Sequence, residues 1–112
     1  MKKATLYVNG IMRADVCAAD SFFLRLRGLI GRNIDKTVGL LLQPCAEIHT
    51  MFMSAAIDVI YLDKDNTVLR LDKAVEPWHF CKRQPKAYSV LELSAGRAEE
   101  FGIDKGCELS FR

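Results

Sequence analysis

Cys45, His49, His79 and Cys81 form two short pairs, Cys-x-x-x-His and His-x-Cys, that hold both histidines and two of the four cysteines of this 112-residue chain. Zinc takes four such ligands at tetrahedral geometry, and two local pairs from distant segments are one way to supply them. Neither spacing is that of a standard zinc knuckle, and cysteine is among the most buried residue types even when it binds nothing. Zinc therefore ranks below a core role for these residues, and no cofactor is expected. A thiolate of Cys45 or Cys81 paired with His49 is a nucleophile option, without the local signature of a known cysteine enzyme. His49, Met51 and Met53 would share one face of a strand and offer imidazole and thioether to copper, but a single strand of this kind makes no recognisable copper site.

Two carboxylates stand in apolar rows. In IDVIYLD, alternation puts Ile57, Val59 and Tyr61 on one face and Asp58, Ile60 and Leu62 on the other. In AYSVLEL, Glu92 shares its face with Tyr88 and Val90. A buried carboxylate must find donors or stay protonated, and the first donors to consider are Arg27, Arg32, Arg70 and Thr50. Asp58 or Glu92 acting with His49 would be a general acid and base set, so these three are the catalytic candidates. The competing account, two acids holding strand ends and turns in place, is favoured, because structural contacts perturb acids as active sites do. Trp78, His79 and Phe80 follow Pro77 in a connection, where Trp78 either lines a binding mouth or caps the barrel. The cap is favoured, since a lone tryptophan in a small domain is usually buried for its area.

The elements that must position these groups are mostly strands. Asn9-Gly10 between apolar flanks is a hairpin signal, with strands at about 4 to 8 and 11 to 17. Asp20 or Ser21 can start a helix whose Phe22, Phe23, Leu26, Leu29 and Ile30 fall on one side, ending near Gly31. Strand-like periods follow at 39 to 43, 47 to 53, 57 to 63 and 67 to 75, the last two joined by Lys64, Asp65 and Asn66. A strand at 87 to 93, a short helix capped by Ser94 and ending at Gly102, and a final strand in CELSF complete the chain. The fold class expected is mainly β with two short helices, a small antiparallel barrel or jelly-roll-like sandwich, in one domain over residues 1 to 112.

The totals remove several classes of function. A formal charge of +2 is too small for the field that phosphate-backbone binding needs, so nucleic acid is not an expected partner. Local basic clusters at Arg25, Arg27 and Arg32, and at Lys82, Arg83 and Lys86, read first as solvated faces and second as seats for a small anion or an acidic partner surface. No apolar run is long enough to span a bilayer, the opening residues lack a signal-peptide core, and no glycine-rich phosphate loop is present. A cytoplasmic protein with four reduced thiols is expected.

RGLIGR at 27 to 32, GLLLQP at 39 to 44, IHTMFM at 48 to 53, IDVIYLD at 57 to 63, Pro77-Trp78, VLELSAG at 90 to 96 and Gly106 occur in an order that resembles the mainly prokaryotic domain of unknown function 192 family. The resemblance spans the chain from the first helix onward and implies a compact, mostly β fold, barrel-like or jelly-roll-like. It implies no settled activity. Many relatives carry Trp-Met where this chain has His49-Thr50, and Asp where Cys107 stands, which places this chain in a His-Thr branch. The characteristic positions are Arg27, Gly28, Gly31, Arg32, His49, Thr50, Met53, Asp58, Glu92 and Gly96; His79 and Cys81 are not among them. The expected function is a non-enzymatic module that binds a small molecule or a partner protein near His49, Thr50, Met53, Asp58 and Trp78, with Arg27 and Arg32 as further contacts. The alternative is a small hydrolase or isomerase that uses His49 with Asp58 or Glu92, or a structural zinc protein.

Overall fold

Asn9 and Gly10 both take positive φ, 50° and 86°, and the tight turn they make lays β1 (Lys2–Val8) antiparallel on β2 (Ile11–Ala19). The computed structural model describes residues 2–19, 38–51 and 53–112. The expected helix from Asp20 or Ser21 to Gly31 falls outside these residues, together with Arg25, Arg27 and Arg32. Beyond them run β3 (Val38–Leu42), β4 (Ile57–Leu62), β5 (Val68–Val75), β6 (Ser89–Ser94), one helical turn α1 (Arg97–Glu100) and β7 (Leu109–Phe111).

The strands form one seven-stranded sheet in the order β5-β4-β6-β3-β2-β1-β7. It curls into a half-barrel, and its two outer strands approach each other where Thr67 bridges Glu108. Val68 N donates to Cys107 O at 2.9 Å and Gly106 N to Val68 O at 2.8 Å beside that bridge. The mainly β, barrel-like class expected from the sequence is the observed one, with a correction: β2 and β3 pair in parallel. The connection between Ala19 and Val38 is long enough for a crossover, which parallel neighbours require and a hairpin does not.

Curling separates two cores. Leu6, Val8, Val16, Leu41, Ile60, Leu62, Val68, Leu91, Leu93 and Leu109 meet on one side; every strand contributes, which only a concave face allows. Ala98, Phe101 and Ile103 from α1 and the turn after it join them. Leu40, Leu42, Ile57, Val59, Tyr61 and Val90 form the second core on the convex side of β3, β4 and β6, with Met53 over them. The six residues of β4 are all buried, and their alternation divides them between the two cores as the sequence pattern requires.

Gly39 lies where this sheet is tightest. A Cβ there would stand 2.6 Å from Leu93 Cδ2 and 3.1 Å from Val16 Cγ1. Gly39→Ala is expected to destabilise by about 1–3 kcal/mol through overpacking. Urea unfolding checks this, and an unchanged midpoint would mean that the two side chains move aside.

The predicted strand at 47 to 53 does not form among the described residues of that span, where His49 alone keeps a ladder contact, an isolated bridge to Phe80. Thr50 ends it, because its carbonyl accepts from Met53 N at 3.2 Å and from Trp78 N at 2.9 Å, which turns the chain. The strand at 87 to 93 begins at Ser89, and α1 is capped at Gly96, φ 94°, and not at Ser94.

Candidate functional site

Asp58 is 1% exposed, and its carboxylate is wholly engaged by backbone. Oδ1 accepts from Ala74 N at 2.9 Å, and Oδ2 accepts from Gly96 N and Ala98 N, each at 3.0 Å. The first bond answers a local defect: the β4–β5 register shifts between Ile57 and Val59, and Ala74 takes φ 50°, so a bulge frees that amide from the ladder. The other two bonds supply from across the sheet the N-terminal cap that α1 lacks. Of the donors considered from the sequence, Arg27 and Arg32 lie outside the described residues; the donors to Asp58 among the described residues are not Arg70 or Thr50 but backbone amides, which no side-chain pattern announces.

Glu92 lies on the opposite face. It pairs with Val59 and Leu40 in the sheet register, so it stands among the convex-side apolar residues, whereas Asp58 points to the concave side. The sheet thus separates the two acids that sequence reasoning considered as a pair. Glu92 is 4% exposed, and its Oε2 has no hydrogen-bond partner among the described residues. Burial raises its pKa from 4.5 to about 8, the expected response of a carboxyl group taken out of water. Tyr61 lies in this layer with the Arg70 guanidinium 3.9 Å above its ring, and Arg70 is held to Asp72 at 2.8 Å. Burial pushes up both the Tyr61 hydroxyl and the nearby Cys81 thiol, the reverse of what an activated cysteine nucleophile needs.

His49 is exposed on the outer side of a clasp between two connections. Its ring is tilted against Phe80 at 5.9 Å, and Nδ1 accepts from Met51 N at 3.2 Å. It is exposed and not a core histidine, and no contact joins it to Asp58 or Glu92 among the described residues. His49→Ala should change stability by no more than about 0.5 kcal/mol, as for other exposed positions; thermal unfolding measures it.

Thr50 is the buried pin of the clasp. It is 0% exposed, and its hydroxyl donates to Glu76 O at 2.7 Å and accepts from His79 N at 2.9 Å. Its backbone N donates to His79 O at 2.7 Å. Cys81 N to Ile48 O at 3.0 Å, Gln84 N to Ala46 O at 2.9 Å and Cys45 N to Tyr88 O at 2.9 Å extend the same lacing. Thr50→Val keeps the shape and removes the hydroxyl, so it is expected to cost about 2–3 kcal/mol and to raise acrylamide quenching of Trp78, the only tryptophan. Quenching unchanged from wild type would show that the pin does not hold Trp78.

Trp78 is 56% exposed and Phe80 79%. This corrects the expectation that Trp78 caps the barrel: Trp78 N is tied to Thr50 and its φ is 68°, a strained value for a bulky residue, and the ring is left turned outward. Phe80, missed as a site candidate, was marked only by its place next to His79 in an aromatic run. Met53 is 8% exposed and belongs to the convex core.

The four proposed zinc ligands face apart. The His49–Phe80 bridge puts His79 and Cys81, one residue either side of Phe80, on the face opposite His49. His79 Nδ1 contacts Glu76 O and Pro77 O at 3.0 Å, and Cys45 Sγ donates to Glu47 O at 3.1 Å. Among the described residues no group of three or more His, Cys, Asp or Glu is gathered for a metal.

A curled small β-sheet with an outward aromatic clasp is therefore the class that fold and site define. The chain belongs to the DUF192 family, described as Uncharacterized ACR, whose model matches residues 4–111. It is 33% identical over 98 residues to a UPF0127 protein of Thermococcus sibiricus, covering 83% of this chain and 63% of that one. It is 30% identical over 105 residues to a UPF0127 protein of Pyrococcus furiosus, covering 89% of each. The chain thus spans less than two thirds of the first relative's length. Among solved structures, a protein from Sinorhizobium meliloti 1021 described as a candidate transcription regulator has TM-score 0.86 at 19% identity, over 98% of this chain and 94% of that one. A protein of unknown function from Novosphingobium aromaticivorans has TM-score 0.82 at 20% identity, over 95% and 83%. At those identities the likeness is one of fold.

Proposed function

We propose that this chain is a non-enzymatic binding module that takes a segment of a partner protein on the ridge of His49, Trp78 and Phe80. One observation carries the reading: two large aromatic side chains, 56% and 79% exposed, stand on a connection laced to its neighbour through Thr50. Aromatic residues held rigid lose little freedom on contact, and such residues dominate the energy of protein interfaces. A partner surface is favoured over a small molecule because the Trp78 and Phe80 rings stand out from the surface and line neither of the grooves beside Arg97 and Glu100, about 330 and 290 Å³. The hydrolase or isomerase alternative needs His49 with Asp58 or Glu92, and these occupy three separate places: outside the clasp, the concave side and the convex side.

The module is read as metal-free and cytoplasmic, a setting in which its unbridged cysteines stay thiols. No helix among the described residues is long and apolar enough to cross a membrane, and the formal charge of +2 argues against nucleic acid. The test is site-specific photo-crosslinking with Phe80→benzoylphenylalanine, and Glu99→benzoylphenylalanine as the control. A discrete adduct from position 80, absent from position 99 and lost when Trp78→Ala is added, supports the reading. Adducts of equal yield from both positions, or none from position 80, overturn it.

A further inference from the structure

We infer that the occupant of this ridge is an acidic peptide segment that carries an aromatic or large apolar side chain. The inference rests on the partner-binding reading above and adds the chemistry of the partner. Lys82, Arg83 and Lys86 continue the connection that holds Trp78 and Phe80, and all three are exposed. None forms an ion pair among the described residues, where the pairs are Arg70–Asp72 and Arg97–Glu100. The exposed acids of the two laced connections are Glu47 and Glu76. The His49–Phe80 bridge and the Cys81 N to Ile48 O bond set Glu47 opposite Lys82, and neither connection sets an acid opposite Arg83 or Lys86 at the end of the ridge.

Their backbone is fixed. Arg70 donates from Nη2 to Lys82 O at 2.8 Å and from Nη1 to Gln84 Oε1 at 3.3 Å, and Ala87 N donates to Gln84 O at 3.2 Å. An aromatic anchor followed along the connection by fixed cations, the last of them at a turn where Lys86 takes φ 69°, is complementary to a short peptide with an apolar residue and carboxylates a few positions away. The apolar contact supplies affinity, while the charges set direction and encounter rate.

The experiment titrates the full chain with a random glutamate–tyrosine copolymer, polyglutamate, polylysine, and phosphatidylcholine vesicles holding about one third phosphatidylserine, and reads Trp78 emission and amide shifts of residues 78 to 86. Saturable binding of the copolymer is expected, stronger than of polyglutamate and absent for polylysine. It should weaken roughly tenfold as NaCl rises from about 50 to about 300 mM. Arg83→Glu with Lys86→Glu, and separately Phe80→Ala, should each weaken it about tenfold or more; these positions are exposed, and unchanged thermal unfolding confirms that the variants are folded. Copolymer binding indifferent to the charge reversal but lost in Phe80→Ala overturns the acidic partner and leaves the ridge standing. Binding indifferent to both overturns the ridge as well. A response to the vesicles without one to the copolymer assigns the ridge to an anionic membrane surface and overturns the proposal, as does no response to any probe.

Discussion

Asp58→Ala is expected to lower the unfolding free energy at neutral pH by on the order of 4 kcal/mol, an exceptional loss for one side chain. Three backbone donors, on Ala74, Gly96 and Ala98, converge on this carboxylate. Ala98 is fully buried, so its amide gains no water when the acceptor is deleted. A buried donor left unsatisfied costs about 1–3 kcal/mol, more when its partner was charged. Asp58→Asn keeps one acceptor oxygen but turns an NH2 group toward the other donors, so it should recover little of the loss. Denaturant unfolding of the three proteins measures this. A loss below about 1 kcal/mol for Asp58→Ala would mean that the bulge at Ala74 and the start of α1 are held by other means. With the carboxylate committed in this way, Asp58 is a fastening of β4 to β5 and α1.

Glu92→Gln should produce the second large effect, and its sign depends on pH. In the folded chain Glu92 keeps its proton up to about pH 8, whereas in the unfolded chain it releases it near the ordinary carboxylate value of about 4.5. Between those values the native state binds more protons than the unfolded state, so wild-type stability falls as pH rises from about 4.5 to about 8, and is level on either side as far as this group is concerned. The separation corresponds to a total on the order of 5 kcal/mol. The glutamine variant has the same shape and no charge to bury. It should match wild type near pH 4.5, lose the slope attributable to this group, and exceed wild type by several kcal/mol at pH 8.5. Wild-type stability that rises through this interval, or a glutamine variant less stable than wild type at pH 8.5, would show that the carboxylate is ionised and paired in the fold.

Several features were legible before any coordinates because their causes are local. Asn9 and Gly10 tolerate positive φ, and a hairpin forms there. The alternation in IDVIYLD distributes β4 between two cores. Asp63 makes its own turn, with Oδ1 accepting from Asp65 N at 2.8 Å and Thr67 N at 3.0 Å. Gly102, at φ 72°, follows the last turn of α1, the place expected for a helix-ending glycine. The family resemblance also came from short motifs in fixed order, and the match over residues 4–111 bears it out.

The candidate site was less legible, because backbone partners carry no residue-type signature. The residues 47 to 53 alternate like a strand, yet the buried Thr50 hydroxyl found carbonyl and amide partners at Glu76 and His79, and those contacts bent the segment into a clasp. Trp78 was expected inside on the strength of its area; the hydrogen bond from its own amide to Thr50 fixes a backbone angle that sends the ring out. The pairing Asp58↔Leu93 and Val59↔Glu92 decides that the two acids face opposite sides, and register between strands distant in sequence cannot be read from either strand alone. By itself, then, the amino-acid sequence determined the strand periods, the hairpin turns and the family, each set by neighbours along the chain. Tertiary structure alone decided the parallel β2–β3 pair, the fastening role of Asp58, the burial of Glu92 on the convex side and the outward clasp, because each depends on which distant backbone amide or strand arrives beside a given side chain.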